Sequence, residues 1–394
     1  MSRPLKIAIY SGEIPSTTFI ERLVTGIANS GAEVVLFGVL HRKPLYDSRV
    51  KIIAYKHMRL SKLFHLVRFS ILLKLFKAQK KKRLDAYLKT RDSLNLYSKV
   101  KYYPVLWHQP DVFHLQWAKG LDDWMWVQDF GMKLVLSLRG AHINYSPVAD
   151  TALAEMYNKN FPKVDGFHAV SNAMIMEAQK YNALANRIQV VYSGLDLNTL
   201  TEIDARMPYD KAILKIISVG RPHWIKGYTY ALDACRLLKD VDINFEYTII
   251  GGAESIEYQY QVHDLGLDNE VRLLGPHEFD VVQHMIQESD LLLLPSVKEG
   301  IANVVLEAMA LGTLVLSTDC GGMNEVITDA VNGFLVPVRD AEAIADAIVR
   351  IRKLSPEEQL LIKKNAQDTI KQQHNVEGMV SGMMTLYNEV VGVR

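Results

Sequence analysis

Cysteine is scarce in this 394-residue chain: it occurs twice, at Cys235 and Cys320, far apart and without ligand-like neighbours. That excludes a disulfide framework and a cysteine zinc site, and it fits a reducing compartment. Long apolar runs are missing too; none approaches the ~18 residues of a membrane-spanning helix. The amino terminus, "MSRPLKIAIYSGEIPS", passes from a charged start straight into a short strand, with too short an apolar run for a secretory leader. A cytoplasmic protein is therefore expected. The dinucleotide fingerprint G-x-G-x-x-G is absent, with only the paired Gly251 and Gly252 of "IIGGAES" in a comparable place. A hydride-transfer reading loses its main support. No cluster with metal-ligand spacing stands out, so no metal and no resident cofactor are expected.

What is present is a globular composition, 49% hydrophobic and 23% charged, over a length that allows two domains with separate cores. The net charge of +1 hides an asymmetry. Residues 1–200 carry 28 Lys+Arg against 15 Asp+Glu, and residues 201–394 carry 17 against 29, so the halves stand at +13 and −12. One half is thus suited to an anionic partner.

Short β-branched or aromatic runs alternate with helix-length intervals along most of the chain. "LKIAIY", "AEVVLFGV", "PDVFHLQW", "KLVLSLRG" and "GFHAVS" read as strands in the first half. "LKIISVG", "FEYTIIGG", "EVRLLG", "SDLLLLPS" and "GTLVLST" repeat the pattern in the second. Strands this apolar are buried on both faces, which predicts parallel, doubly wound α/β sheets. "TFIERLVTGIANSG" reads as a helix closed at Gly31. A polar, aperiodic interval near residues 191–212 breaks the rhythm and is expected to link two Rossmann-like domains.

Residues 51–103 differ from the rest. They hold 15 Lys+Arg against two acids, Asp85 and Asp92. Within "RLSKLFHLVRFSILLKLFKAQKKKRLDAYL", Leu60, Phe64, Val67, Ile71 and Leu75 fall on one helical stripe. A basic amphipathic helix of this kind suits an anionic membrane surface. The plainer alternative is a helix that packs this stripe on its own domain and solvates its basic face.

Two stretches carry chemistry. In "ISVGRPHWIKGY" a strand runs into Gly220 and Arg221, and five residues later Lys226 precedes Gly227. Loops at the carboxyl ends of parallel strands face the ligand crevice, and a guanidinium fork with a compact ammonium suits a diphosphate. In "LLLLPSVKEGIANVVLEAMALG", a buried strand precedes a helix ending at Gly312, with Asn303 as the expected N-cap. Free backbone N–H groups at 303–305 would form an anion site. Glu299, in the loop, and Glu307, in the helix's expected first turn, would bracket that site as acceptors for sugar hydroxyls. Alternatives are a dipole-favoured acidic helix start and a glycosidase-like carboxylate pair.

These stretches carry a resemblance. "EGIANVVLEAMA" resembles the E-x7-E element of retaining glycosyltransferases of family 4, "SVGRPHWIKGY" that family's strand–Gly-Arg…Lys-Gly element, and "VVYSGLDLNTL" its linker entry. "IPSTTFIERLVTGIANSGAEVVLFG", "PDVFHLQW" and "FHAVS" are similar to its amino-terminal domain, so the likeness spans nearly the whole chain. The resemblance implies a GT-B fold, two Rossmann-like domains facing across a central cleft. Residues 1–198 would form the acceptor-binding domain with its basic insertion at about 51–103, residues 199–376 the nucleotide-sugar-binding domain, and 377–394 a terminal helix crossing back. Arg221 and Lys226 would clamp the donor diphosphate, and Glu299 would hold the donor sugar. The backbone at Gly300, Ile301, Asn303 and Val304 would line sugar and phosphate, and Glu307 would bind the ribose. Gly275 to His277 would lie near the base, and Gly12 would admit the diphosphate close to the backbone.

The sequence departs from the family pattern after "KLVLSL". Where many members carry His-Gly-x-Asp, this chain has Arg139-Gly140-Ala141-His142. Arg139 as an electrostatic aid and His142 as a hydrogen-bonding group both stay open. His168 reads as a strand histidine with a satisfied ring, and Ser171 as the cap of the helix that follows. The implied reaction moves a sugar from a nucleoside diphosphate to a glycan or lipid-linked acceptor, without metal and without nucleic acid. Its place would be the cytoplasm or the inner face of the membrane. A non-catalytic nucleotide-sugar-binding subunit of the same fold is the alternative.

Overall fold

A computed structural model describes residues 3–196 and 213–392, which form two α/β units. The expected linker falls largely outside the described residues. Met1–Val170, Met174–Gly194 and Val376–Arg394 make up the first unit, and Ser171–Ala173 with Leu195–Asn375 the second.

The first unit is built on seven parallel strands: β1 (Lys6–Ile14), β2 (Glu33–Leu40), β3 (Val50–Tyr55), β4 (Val112–Leu115), β5 (Lys133–Leu138), β6 (Gly166–Ala169) and β7 (Ile188–Val190). Their order is β3-β2-β1-β4-β5-β6-β7. On one face, Ile7 and Ile9 of β1 meet Val24 and Ile27 of the helix Thr18–Asn29. The terminal helix Val376–Val391 joins the same core through Met379, Met383, Leu386 and Tyr387. Gly26 permits that packing, because a Cβ there would meet Val380 Cγ2 at 2.4 Å.

The second unit has six strands: β8 (Leu214–Val219), β9 (Phe245–Ile250), β10 (Val271–Leu274), β11 (Leu291–Leu294), β12 (Leu314–Thr318) and β13 (Phe334–Val336), in the order β10-β9-β8-β11-β12-β13. Here the apolar runs explain themselves. Ile216, Leu291, Leu293, Leu314 and Leu316 enter one core, with the helices Tyr228–Asp240 and Ala341–Arg352. Their neighbours Ile217, Leu292, Leu294 and Val315 enter the opposite core, with the helix Asn303–Leu311. Alternate residues point to opposite faces of a strand, so two covered faces demand an unbroken apolar run.

The basic segment differs from its expectation in three ways. Residues 50–55 belong to the sheet as edge strand β3. The long helix is two helices, Arg59–Phe76 and Ala78–Thr90, parted at Lys77, whose Nζ reaches Trp107 O at 2.8 Å and Gln109 Oε1 at 2.9 Å. Most important, the stripe Leu60, Phe64, Val67, Ile71 and Leu75 does not pack on its own domain. All five are exposed, while His65, Phe69 and Leu73 on the opposite side form the buried contact. No helix among the described residues is long and apolar enough to cross a membrane.

Candidate functional site

In the second unit, the loops after β8, β9 and β10 enclose a cavity of about 290 Å³. It is lined by Gly220, Arg221 and Pro222 after β8, Ala253 and Glu254 after β9, and Gly275 to His277 after β10. His277 Nδ1 donates to Gly275 O at 2.9 Å, fixing that loop. Arg221, Gly275 and His277 are therefore brought together at the carboxyl edge of the sheet, where open parallel sheets take ligands.

A second group forms at the same edge, where the loops after β8 and β11 meet. Lys226 ends the short turn Trp224–Lys226, and Val297 N donates to Ile225 O at 2.7 Å. Gly227 follows at φ +67°, and a Cβ there would lie 2.0 Å from Pro295 O, so only glycine admits this approach. Lys226 Nζ then meets Glu299 Oε1 at 2.7 Å, and Ser296 Oγ donates to the same oxygen at 2.9 Å. Both side chains are mostly buried, 23% and 16% exposed, so the pair interacts in a lowered dielectric. Lys226 thus meets a carboxylate directly, and two of its three N–H donors lie outside that bond.

The loop after β12 supports Glu299 from behind. Gly321 has φ +65°, and a Cβ on it would sit 1.9 Å from Glu299 O. Gly322 N donates to Gly300 O at 2.7 Å. Ser296, Gly321 and Gly322 were missed by sequence reasoning; the paired glycines of "STDCGGM" after an apolar strand were the available signal.

Several expectations at this helix need correcting. Asn303 is the first helical residue, not the cap; Ala302 holds the cap position, and Asn303 Oδ1 is buried without a partner. Val305 N already bonds Ala302 O at 3.0 Å, so the unbonded N–H groups are those of Asn303 and Val304. No side chain caps this start, because the residue at the cap position, Ala302, has no side-chain acceptor. Glu307 lies in the second turn and is buried, 9% exposed, so it does not project from the first. Ile301 and Val304 direct their side chains into the core beneath, which leaves only their backbone for a ligand. Ser171 is no cap: its Oγ has no partner, and Glu325 instead accepts from Asn172 N at 2.8 Å and Ala173 N at 2.9 Å.

No group of three His, Cys, Asp or Glu among the described residues is placed to hold a metal. The chain does contain one Asp-x-Asp, at Asp240 and Asp242. It lies where the helix Tyr228–Asp240 leads into β9, at the opposite edge from the cavity, and Arg236 pairs with Asp240.

The remaining candidates lie in the first unit. Gly12 occurs in β1 at φ +92°, where the pairing with β2 shifts register. Arg139 leaves the end of β5, stacks on Phe19 with 4.6 Å from its guanidinium carbon to the ring centre, and donates to Gln116 Oε1 at 3.2 Å. No carboxylate pairs with it among the described residues, and its Nε has no partner. Burial lowers its pKa to about 10, which leaves it a cation at neutral pH. His142 packs against Trp117, with 5.5 Å between ring centres. Burial, then the Lys119 charge, lowers it to about 4, so it is neutral. Behind them a buried chain runs Tyr387 Oη, His114, Ser137 and His168, and His168 Nε2 meets Val191 O at 3.0 Å. His168 is a satisfied strand histidine.

Comparison with known proteins places this geometry. Residues 202–369 match the family described as glycosyl transferases group 1. The amylovoran biosynthesis glycosyltransferase AmsK of Erwinia amylovora is 37% identical over 145 residues, 35% of this chain and 36% of that protein. N-acetyl-alpha-D-glucosaminyl L-malate synthase of Bacillus anthracis is 27% identical over 267 residues, 66% of this chain and 68% of the other. The chain spans between 36% and 59% of the length of several curated relatives that it matches. Among solved structures, sucrose-phosphate synthase of Thermosynechococcus elongatus superposes with a TM-score of 0.74 at 18% identity, covering 99% of this chain and 100% of that one. HepE of Anabaena, solved with UDP and glucose, gives 0.69 at 18%, covering 98% and 100%. The fold is therefore the GT-B type with two Rossmann-like domains.

Proposed function

We propose that the protein is a retaining glycosyltransferase that moves a hexose from a nucleoside diphosphate to a glycan or lipid-linked acceptor in polysaccharide or glycoconjugate assembly. One observation carries this reading: a cation, a carboxylate and a helix start with unbonded N–H groups share the carboxyl edge of one parallel sheet. Arg221 and Lys226 would take the diphosphate. The N–H groups of Asn303 and Val304 would add to its field, since a helix start favours negative charge. Glu299 would accept hydrogen bonds from the donor sugar's hydroxyls, and Glu307 from the ribose.

In the proposed reaction the bond from the anomeric carbon to the diphosphate oxygen breaks, and its electron pair leaves with the diphosphate. The acceptor hydroxyl adds on the same face and gives its proton to a diphosphate oxygen. Charge grows on the leaving group, so preplaced cations and N–H donors lower the barrier, each by on the order of 3 kcal/mol. Arg139, a cation without a carboxylate, would offset negative charge on a bound group, while neutral His142 would serve as a hydrogen-bonding group. Names of relatives in colanic acid and amylovoran biosynthesis support the polysaccharide reading.

The test is release of nucleoside diphosphate from uridine-, guanosine- and adenosine-linked hexoses. One base is expected to give release that Lys226→Ala abolishes. Donor binding without release for any acceptor would favour a silent nucleotide-sugar-binding subunit. Cleavage of a simple glycoside without nucleotide would mark a hydrolase.

A further inference from the structure

The helix Arg59–Phe76 is apolar on two opposite sides, and its own domain covers one of them. His65, Phe69 and Leu73 face inward, toward Tyr55 and His108, with Phe69 1% and Leu73 0% exposed. Half a turn away, Leu60, Leu63, Phe64, Val67, Ile71 and Leu75 stand in solvent, between 47% and 83% exposed. Scattered exposed apolar residues need no explanation, but six on one stripe of one helix form a continuous strip that water solvates poorly. From Leu60 to Leu75 that strip runs about 22 Å along the helix axis.

Charge identifies what covers it. Arg68 and Lys74 are exposed on either flank of the strip and Arg59 at its start, and Lys80, Lys82, Arg83 and Lys89 are exposed on the next helix, Ala78–Thr90. The helix Arg59–Phe76 contains no acid. Of the segment's two acids, Asp85 is already engaged by Lys81 at 2.7 Å and by Tyr103 at 2.6 Å, and Asp92 lies beyond the end of the second helix. A second copy on this strip would bring like charges together, since a two-fold interface sets the same patch against itself. An anionic bilayer surface meets both needs at once: acyl chains take the strip, and lipid phosphates take the cations.

We propose that the outer face of Arg59–Phe76 is a docking surface for an anionic membrane, on which the helix lies in the plane of the headgroups. The surface stands independently of the transferase reading, since it involves none of the residues placed in the donor site.

Co-sedimentation of the full chain with vesicles tests it. The chain is expected to sediment with phosphatidylcholine vesicles containing phosphatidylglycerol and to stay in solution with phosphatidylcholine alone. Two variants separate the forces. Phe64→Ser with Ile71→Ser should lower partitioning by at least tenfold, because each loses the insertion of a large side chain. Arg68→Glu with Lys74→Glu should lower it roughly fivefold or more per residue, and added salt should weaken the parent in the same way. All four residues are exposed, so unchanged melting of the variants shows that folding is intact. A parent that stays in solution with both vesicles overturns the proposal, as do variants that bind like the parent. So does a parent dimer, seen by light scattering, that the serine variant converts to monomer; the face would then be a protein interface. Nucleoside diphosphate binding, measured alongside, should be the same in parent and variants.

Discussion

The two units treat charge in opposite ways. In the second, the central cation has its counter-charge built in: Lys226 holds Glu299, Ser296 steadies the same oxygen, and Gly321 lets the next loop close behind. In the first, Arg139 has an aromatic ring and an amide for company but, among the described residues, no carboxylate, and five histidines are held neutral. Burial is the main cause in each case, lowering His65 and His142 to about 4, His108 and His168 to about 3, and His114 well below its usual value. A paired site keeps its loops in place before a ligand arrives, which suits a donor pocket that must be preorganised. An unpaired buried cation costs desolvation that an anionic ligand would offset.

The sharpest way to break the comparison is within the first unit's basic helix. Phe69→Ala, on the buried side, should cost about 3–5 kcal/mol of stability in denaturant titration. If it costs no more than a surface change, the inner face is misassigned. Next comes the paired cation. Lys226→Ala should reduce turnover about 10²–10³-fold. Glu299→Gln keeps the shape but removes the charge, and should impair kcat while leaving free nucleotide affinity within a few-fold. Equal loss of both would mean that the pair only holds the loop.

Acid should distinguish the units more gently. Well above pH ~6.5, by a unit or more, these five histidines are neutral in both folded and unfolded chains. As pH falls from there toward about 4, the unfolded chain takes up protons that buried His65, His114, His142 and His168 refuse, so the first unit loses stability. On the order of a few kcal/mol is at stake in total, since each pKa unit corresponds to about 1.4 kcal/mol. Hydrogen exchange at pH 7 and pH 5 should show protection falling first in β4, β5 and β6. Uniform loss across both units would contradict the assignment. The smallest expected effect is Ile71→Ser on the exposed strip, within about 0.5 kcal/mol of the parent in thermal melting.

What was legible follows the same division. The second unit's strands and loop glycines are local signals: an apolar run ending in Gly-Arg, or a helix ending at Gly312 with φ +74°, can be read within a dozen residues. The cap at Asn303 misread a local choice, because any polar residue at a helix start looks like a cap until the turn's carbonyl partners are known. In the first unit the informative contacts are distant. His114 meets Tyr387 across 273 positions at 2.7 Å, and no spacing rule links them. The break at Lys77 carries neither glycine nor proline. The basic helix has two apolar stripes, 60/64/67/71/75 and 65/69/73, and periodicity cannot say which of them packs.

The proposed donor site lies at the carboxyl edge of the second unit, and nucleoside diphosphate binding tests it most directly. Melting of the parent and of Arg221→Ala and Lys226→Ala should be followed with UDP, GDP and ADP in turn. One of the three, at ~100 times its dissociation constant, should stabilise the parent by roughly 2.7 kcal/mol, and both variants should lose most of that gain. Stabilisation by none of them, or a gain that survives both substitutions, would contradict the site.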